Sequence, residues 1–247
     1  MNNTLSTNKT NALPVSFFDS NVWRKTTFQF VLGACIFFAA ATLMAMLAYG
    51  GGTSGNPQNA GYSFFTNFFS DLGRTVSYNG APNTISMLLF SSALTIAGAG
   101  LAVFFVAFTQ FFTHTRWTRV LSIIGSIVGI ASALCFVGVA FTPADIARPL
   151  HGQFVLYAFG LFPLAVILYI PVILDRDEYP NLYAWSFIAF ALVLILYFIL
   201  LRIGPRANTP EGLLIQVTGQ KIIVYASILS ILFQTLGARH VNAKLGN

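Results

Sequence analysis

Six long apolar runs, separated by short polar stretches, account for most of this chain. Each covers about 20 to 28 residues, enough at 1.5 Å per residue to cross a hydrocarbon core of about 30 Å. The runs are continuous rather than alternating. This excludes the strands of a membrane barrel, whose inward and outward positions alternate over about 10 residues. The pattern predicts membrane-spanning helices over residues 26–49, 84–112, 120–141, 152–174, 182–201 and 211–236.

The polar punctuation supports those limits. Gly50, Gly51 and Gly52 end the first run, and a long loop over residues 50–83 follows. Within it, Phe64, Phe65, Phe68 and Phe69 recur at helical spacing, which predicts a short amphipathic helix at the membrane surface ending near Gly73. Thr209, Pro210 and Glu211 form a helix start, with a capping hydroxyl, a first-turn proline and an acid facing the dipole. In the third run Ser122, Gly125, Ser126, Gly129 and Ala133 lie at three- and four-residue spacing and include one Gly-x-x-x-Gly match. Small residues let helix backbones approach closely in lipid, so this stripe reads as an internal packing seam in preference to a homodimer face. Pro163 and Pro171 fall inside the fourth run, where each removes an intrahelical hydrogen bond.

The fold class is therefore all-α: one bundle of six transmembrane helices with a short interfacial helix in the first extracytoplasmic loop. The expected organisation is an N-terminal tail over 1–22, the membrane domain over 23–240 and a C-terminal tail over 241–247. Residues 1–22 lack the basic and apolar regions of a cleavable signal, so the first span serves as an uncleaved anchor. The Asn-x-Thr triplets at Asn2 and Asn8 fall in that tail, on the cytoplasmic side of the topology below.

Composition agrees with this class: 56% of the 247 residues are hydrophobic and only 8% charged, against about a quarter charged in soluble domains. Cys35 and Cys135 both lie in apolar runs and read as small core residues, not as a disulfide or metal pair. The net charge of +6 would suggest nucleic acid in a soluble protein. Here the basic residues flank spans, where they set orientation, and nucleic acid is not an expected partner. With the N-terminus inside, eight Lys and Arg residues (Lys9, Arg24, Lys25, Arg116, Arg119, Arg176, Arg239, Lys244) lie cytoplasmically. Five (Arg74, Arg148, Arg202, Arg206, Lys221) lie outside, so both termini are expected in the cytoplasm of a bacterial inner membrane.

That topology gathers the chemistry-bearing residues on the outer face: Ser70, Asp71 and Arg74, then Asp145, Arg148 and His151, then Arg202, Arg206, Glu211, Gln220 and Lys221. Three readings compete for them. The first is a salt-bridged latch of Asp71, Asp145, Arg74, Arg148 and His151, tying two loops over the bundle. The second is binding of lipid headgroups or a partner membrane subunit by the basic excess of Arg74, Arg148, Arg202, Arg206 and Lys221. The third is lipid hydrolysis, with Ser70 and His151 in a triad completed by Asp71 or Asp145, or with Asp71, Asp145 and His151 as metal ligands. Against a metal stands the presence of only one histidine in this cluster, and no His-x-x-x-His spacing occurs anywhere. No motif implies a cofactor. Transport is disfavoured because no charged residue sits at mid-span, Lys221 being the nearest exception.

The aromatic-rich S-D-L-G segment (Ser70–Gly73), paired with F-T-P-A-D (Phe141–Asp145) and P-L-H-G (Pro149–Gly152), resembles the uncharacterised family catalogued as domain of unknown function 998. That family is similar in layout to the DRAM-like group of small polytopic membrane proteins. The resemblance covers about residues 26–236 and implies a six-helix bundle without implying an activity. The expected function is accordingly non-enzymatic, structural or accessory, with membrane lipids as partners.

Overall fold

The computed structural model of the protein describes residues 21–245. Six helices run through it: α1 (Asn21–Ala48), α2 (Thr84–Phe108), α3 (Arg116–Ala140), α4 (Arg148–Leu174), α5 (Asn181–Ile203) and α6 (Pro210–Leu245). All six are long and apolar enough to cross a membrane, and the chain is a multi-pass integral membrane protein. Most of the N-terminal tail expected over 1–22, including Asn2 and Asn8, lies outside the described residues.

Local chemistry explains the helix limits. The Thr115 hydroxyl accepts from the Thr118 amide at 3.3 Å and starts α3. Thr209 accepts from the Gly212 amide at 3.1 Å, the cap its sequence predicts for α6. Three limits differ from expectation. Helix α1 begins at Asn21, inside the expected tail. Helix α4 begins at Arg148, so His151 belongs to a first turn and not to a loop. Helix α6 continues to Leu245 through most of the expected C-terminal tail. It does so because Val241 is buried and the Asn242 side chain accepts from Arg24 Nε of α1 at 2.7 Å.

Each helix packs on its sequence neighbours and α6 returns to α1, which closes the six into a ring. One end of the interior is filled with aromatic rings. Phe108 lies 4.8 Å from Phe104, 4.9 Å from Tyr169 and 5.1 Å from Phe112, measured between ring centroids. Tyr179 and Phe187 close around the same group. The small residues of α3 face inward. A Cβ on Gly129 would overlap the Phe105 ring of α2, and one on Gly125 would press on Tyr169 of α4 at 3.1 Å. The packing-seam expectation for this stripe holds. Cys35 is buried, and neither it nor Cys135 forms a disulfide.

The other end is covered by loop one, residues 50–83. The amphipathic surface helix expected there is instead a five-residue 3-10 turn, Phe69–Gly73, with Phe69, Asp71, Leu72 and Gly73 buried. The phenylalanines split accordingly: Phe64 and Phe65 stay exposed, while Phe69 stacks on Phe38 of α1 with centroids 5.8 Å apart. Asp71 explains the difference, because its carboxylate turns back to accept from the Phe68 amide at 2.8 Å and tightens the turn. Gly52 holds a φ of +81°, and a Cβ there would meet the Asn79 backbone.

Candidate functional site

Loop one is fastened to itself by buried asparagines. Asn67 is fully buried and spends both ends of its amide: Nδ2 donates to Gly52 O at 3.0 Å and Asp71 Oδ2 at 3.1 Å, and Oδ1 accepts from the Ser63 amide at 2.9 Å. Asn83, just before α2, donates to Leu72 O at 3.1 Å and Arg74 O at 2.9 Å. Two further attachments join the loop to the bundle. Gln220 Oε1 of α6 accepts from the Phe69 amide at 2.6 Å. Lys221 Nζ donates to Asn67 O at 2.6 Å and lies 5.4 Å and 5.1 Å from the Tyr62 and Phe64 ring centroids.

Asp145, in the α3–α4 link, makes the third attachment. Its carboxylate accepts from Thr75 Oγ1 at 2.6 Å, the Thr75 amide at 3.0 Å and the Val76 amide at 3.0 Å. Partial burial pushes the Asp145 carboxyl up, but the Thr75 and Val76 donors outweigh it and hold it below the usual carboxylate value. The two loops expected to be latched are tied together, but among the described residues by Asp145 alone and not by the five-residue salt-bridged network. The tie is carboxylate on neutral N–H and O–H groups, not an ion pair. Among the described residues the ion pairs are His114–Asp175 and Arg176–Glu178, both at the opposite end of the ring.

The other candidate residues have separate engagements. His151 donates from Nδ1 to Thr142 O at 2.7 Å, joining the start of α4 to the link just after α3. Ser70 makes no hydrogen bond to His151 and instead lines an interior cavity. Asp71 and Asp145 are held by different stretches of loop one and His151 by the Thr142 carbonyl, and no three His, Cys, Asp or Glu side chains among the described residues are grouped to hold a metal ion. Arg74 lies 4.0 Å over the Tyr78 ring and donates from Nε to Val76 O, which folds it into the cap. Lys221, only 2% exposed, is likewise interior. Arg148, Arg202 and Arg206 stand exposed at the cap end. No family model matches this chain, and no curated protein or solved structure matches it.

Asn67 and Asn83 are the cap-holding residues that sequence reasoning missed. For Asn67 the available signal was a lone amide in an aromatic-rich segment, four residues before an acid.

The cap contains a titrating group. Burial pushes the Asp71 carboxyl up from 3.8 to about 6, against the pull of Asn67, Arg74, the Phe68 amide and Lys221. A raised carboxyl holds a proton in the folded state that the unfolded chain has released. Its contribution is therefore fully present below about pH 4 and is lost as pH rises through about 6. Between pH 7.5 and pH 5 the wild-type unfolding temperature is expected to rise relative to that of Asp71→Asn, which keeps an acceptor but cannot ionise. Parallel pH profiles for the two proteins would show that Asp71 does not titrate in the cap.

Proposed function

We propose that this chain is a non-catalytic integral membrane protein, structural or accessory, whose cap faces the lipid headgroups on the outer side of a bacterial inner membrane, with both termini cytoplasmic. The observation that carries this reading is the division of labour among the polar residues at the cap end. The groups able to do acid, base or metal chemistry are occupied in holding loop one and the α3–α4 link together. The guanidinium groups of Arg148, Arg202 and Arg206 are left exposed and outside any ion pair among the described residues. An exposed cation at a membrane edge attracts anionic lipid by about 1 kcal/mol, and a guanidinium can grip phosphate bidentately. A partner subunit with an acidic face would meet the same rim. We also place the chain with the uncharacterised family it resembles. This placement rests on the S-D-L-G, F-T-P-A-D and P-L-H-G segments of the sequence.

Thermal unfolding in nanodiscs of phosphatidylcholine, with and without phosphatidylglycerol, tests the rim. Anionic lipid is expected to stabilise the wild type, and Arg148→Gln/Arg202→Gln/Arg206→Gln is expected to lose most of that increment. Equal stabilisation of the triple variant would remove the headgroup reading.

A further inference from the structure

Beneath the cap the helical ring is not filled. A cavity of about 100 Å³ lies between α1, α2, α3, α4 and α6, with the Phe69–Ser70 corner of the 3-10 turn as its roof. Its wall is almost wholly hydrocarbon, and the rings of Phe38, Phe69, Phe90, Phe136, Phe159 and Phe162 all reach it. In size it approaches engineered apolar cavities of about 150 Å³ that stay dry and bind benzene. An interior otherwise packed with aromatic rings has left a ring-sized space at one level.

That space has one polar end. Gln220 is 8% exposed, and its Oε1 is fixed by the Phe69 amide. This assigns its Nε2 as a pair of donors, which make no hydrogen bond to the described residues. Ser70 also lines the cavity at its roof, its hydroxyl likewise without a partner among the described residues. The remaining polar wall residue, Ser227, is spent on the Ile223 carbonyl at 2.8 Å. Lys221 is adjacent in sequence, but its ammonium donates to Asn67 O within loop one. No cation among the described residues therefore faces the cavity, and an anionic head entering it would be buried unpaired, at high cost.

We propose that the cavity is a binding site for a neutral membrane amphiphile. A ring-sized apolar body fills the phenylalanine-lined space, and one carbonyl or hydroxyl oxygen accepts from Gln220 Nε2 and pairs with Ser70. The head ring of a lipid quinone and the hydroxyl end of a cyclic lipid alcohol share this chemistry. The site is independent of the arginine rim, because neither Arg148, Arg202 nor Arg206 reaches it.

The test uses the full-length protein in detergent, titrated with a short-chain quinone, cyclohexanol, cyclohexane and cyclohexanecarboxylate at pH 7.5, with thermal unfolding and intrinsic fluorescence as readouts. Saturable stabilisation is expected from the quinone, the alcohol or both, and whichever binds identifies the source. Cyclohexane should bind more weakly and the carboxylate not at all. Ser70→Ala removes a hydroxyl that makes no bond to the described residues, so it should leave the unliganded unfolding temperature unchanged while weakening the oxygenated probe about five- to tenfold, the value of one hydrogen bond. Ala97→Leu fills the cavity from α2 and should abolish saturable binding of every probe. Stabilisation that fails to saturate, that persists in Ala97→Leu, or that ignores Ser70→Ala would overturn the proposal, as would no stabilisation by either oxygenated probe.

Discussion

Replacing Asn67 with alanine is expected to release loop one from the bundle and to lower stability by roughly 3 to 5 kcal/mol, the sum of several buried groups left without partners. The side chain is completely buried and makes three hydrogen bonds. Its loss strands the Ser63 amide and the Gly52 carbonyl and withdraws a donor from Asp71. Water cannot replace these bonds without opening the loop. The backbone carbonyl of the same residue holds Lys221, so a displaced loop also leaves a buried ammonium unpaired. For a chain of this size the expected fall in unfolding temperature is on the order of 10 °C, accompanied by new proteolytic cleavage within residues 50–83. Asn67→Asp sharpens the test. It keeps the acceptor for Ser63 but forfeits both Nδ2 bonds and sets a second carboxylate beside Asp71. It should be at least as harmful at pH 7.5 and recover in part below about pH 6, where Asp71 takes up a proton. An alanine variant that unfolds within a degree or two of the wild type, with loop one still protected, would show that the cap is held by something else.

The bundle was readable from sequence because its cause is collinear with the chain. Uninterrupted apolar length specifies a membrane span, and short polar links specify sequential neighbours. The cap was only half readable, because its cause is not collinear. Charge rarity drew attention to Asp71, Asp145 and His151, and all three do fasten segments at the cap end of the bundle. Charge counting then supplied the wrong partners. Near a low-dielectric boundary a carboxylate is satisfied at lower desolvation cost by amides already present than by a second buried ion, and Asp145 takes Thr75 and Val76 instead of an arginine. The phenylalanine spacing in loop one matched a helix, but the nearby Asp71 and Asn67 compete for backbone donors and close the segment into a turn. Lys221 was counted among surface cations because its neighbours along α6 gave no hint of the loop that would cover it. The cavity had no linear signature at all, since five helices and one turn contribute to its wall.

Gly129→Leu is expected to produce the largest loss of any single change in the membrane region, and its pattern decides between the two uses of a Gly-x-x-x-Gly stripe. The Phe105 ring already lies where a Cβ would project from residue 129. It has no room to retreat: Phe105 is fully buried, with Phe104, Tyr169 and Phe162 at centroid distances of 5.4, 5.9 and 6.4 Å. Overpacking of this kind costs about 1 to 3 kcal/mol when neighbours can shift. Here the shift would also disturb Ser126, one turn away, which donates to Phe105 O at 2.7 Å and bonds Tyr169 Oη at 2.6 Å. The loss should therefore reach or exceed the top of that range and appear as a lower unfolding temperature and weaker α2–α3 association. Gly33→Leu provides the comparison, because a Cβ on Gly33 of α1 meets nothing within 4 Å, and that variant should unfold near the wild-type temperature. If the stripe on α3 were a surface for a second copy of the chain, Gly129→Leu would instead change the oligomer distribution and leave the protomer's unfolding intact. Both glycines of the stripe are buried against α2 and α4 within one chain, so the expected result is loss of stability with the oligomer distribution unchanged.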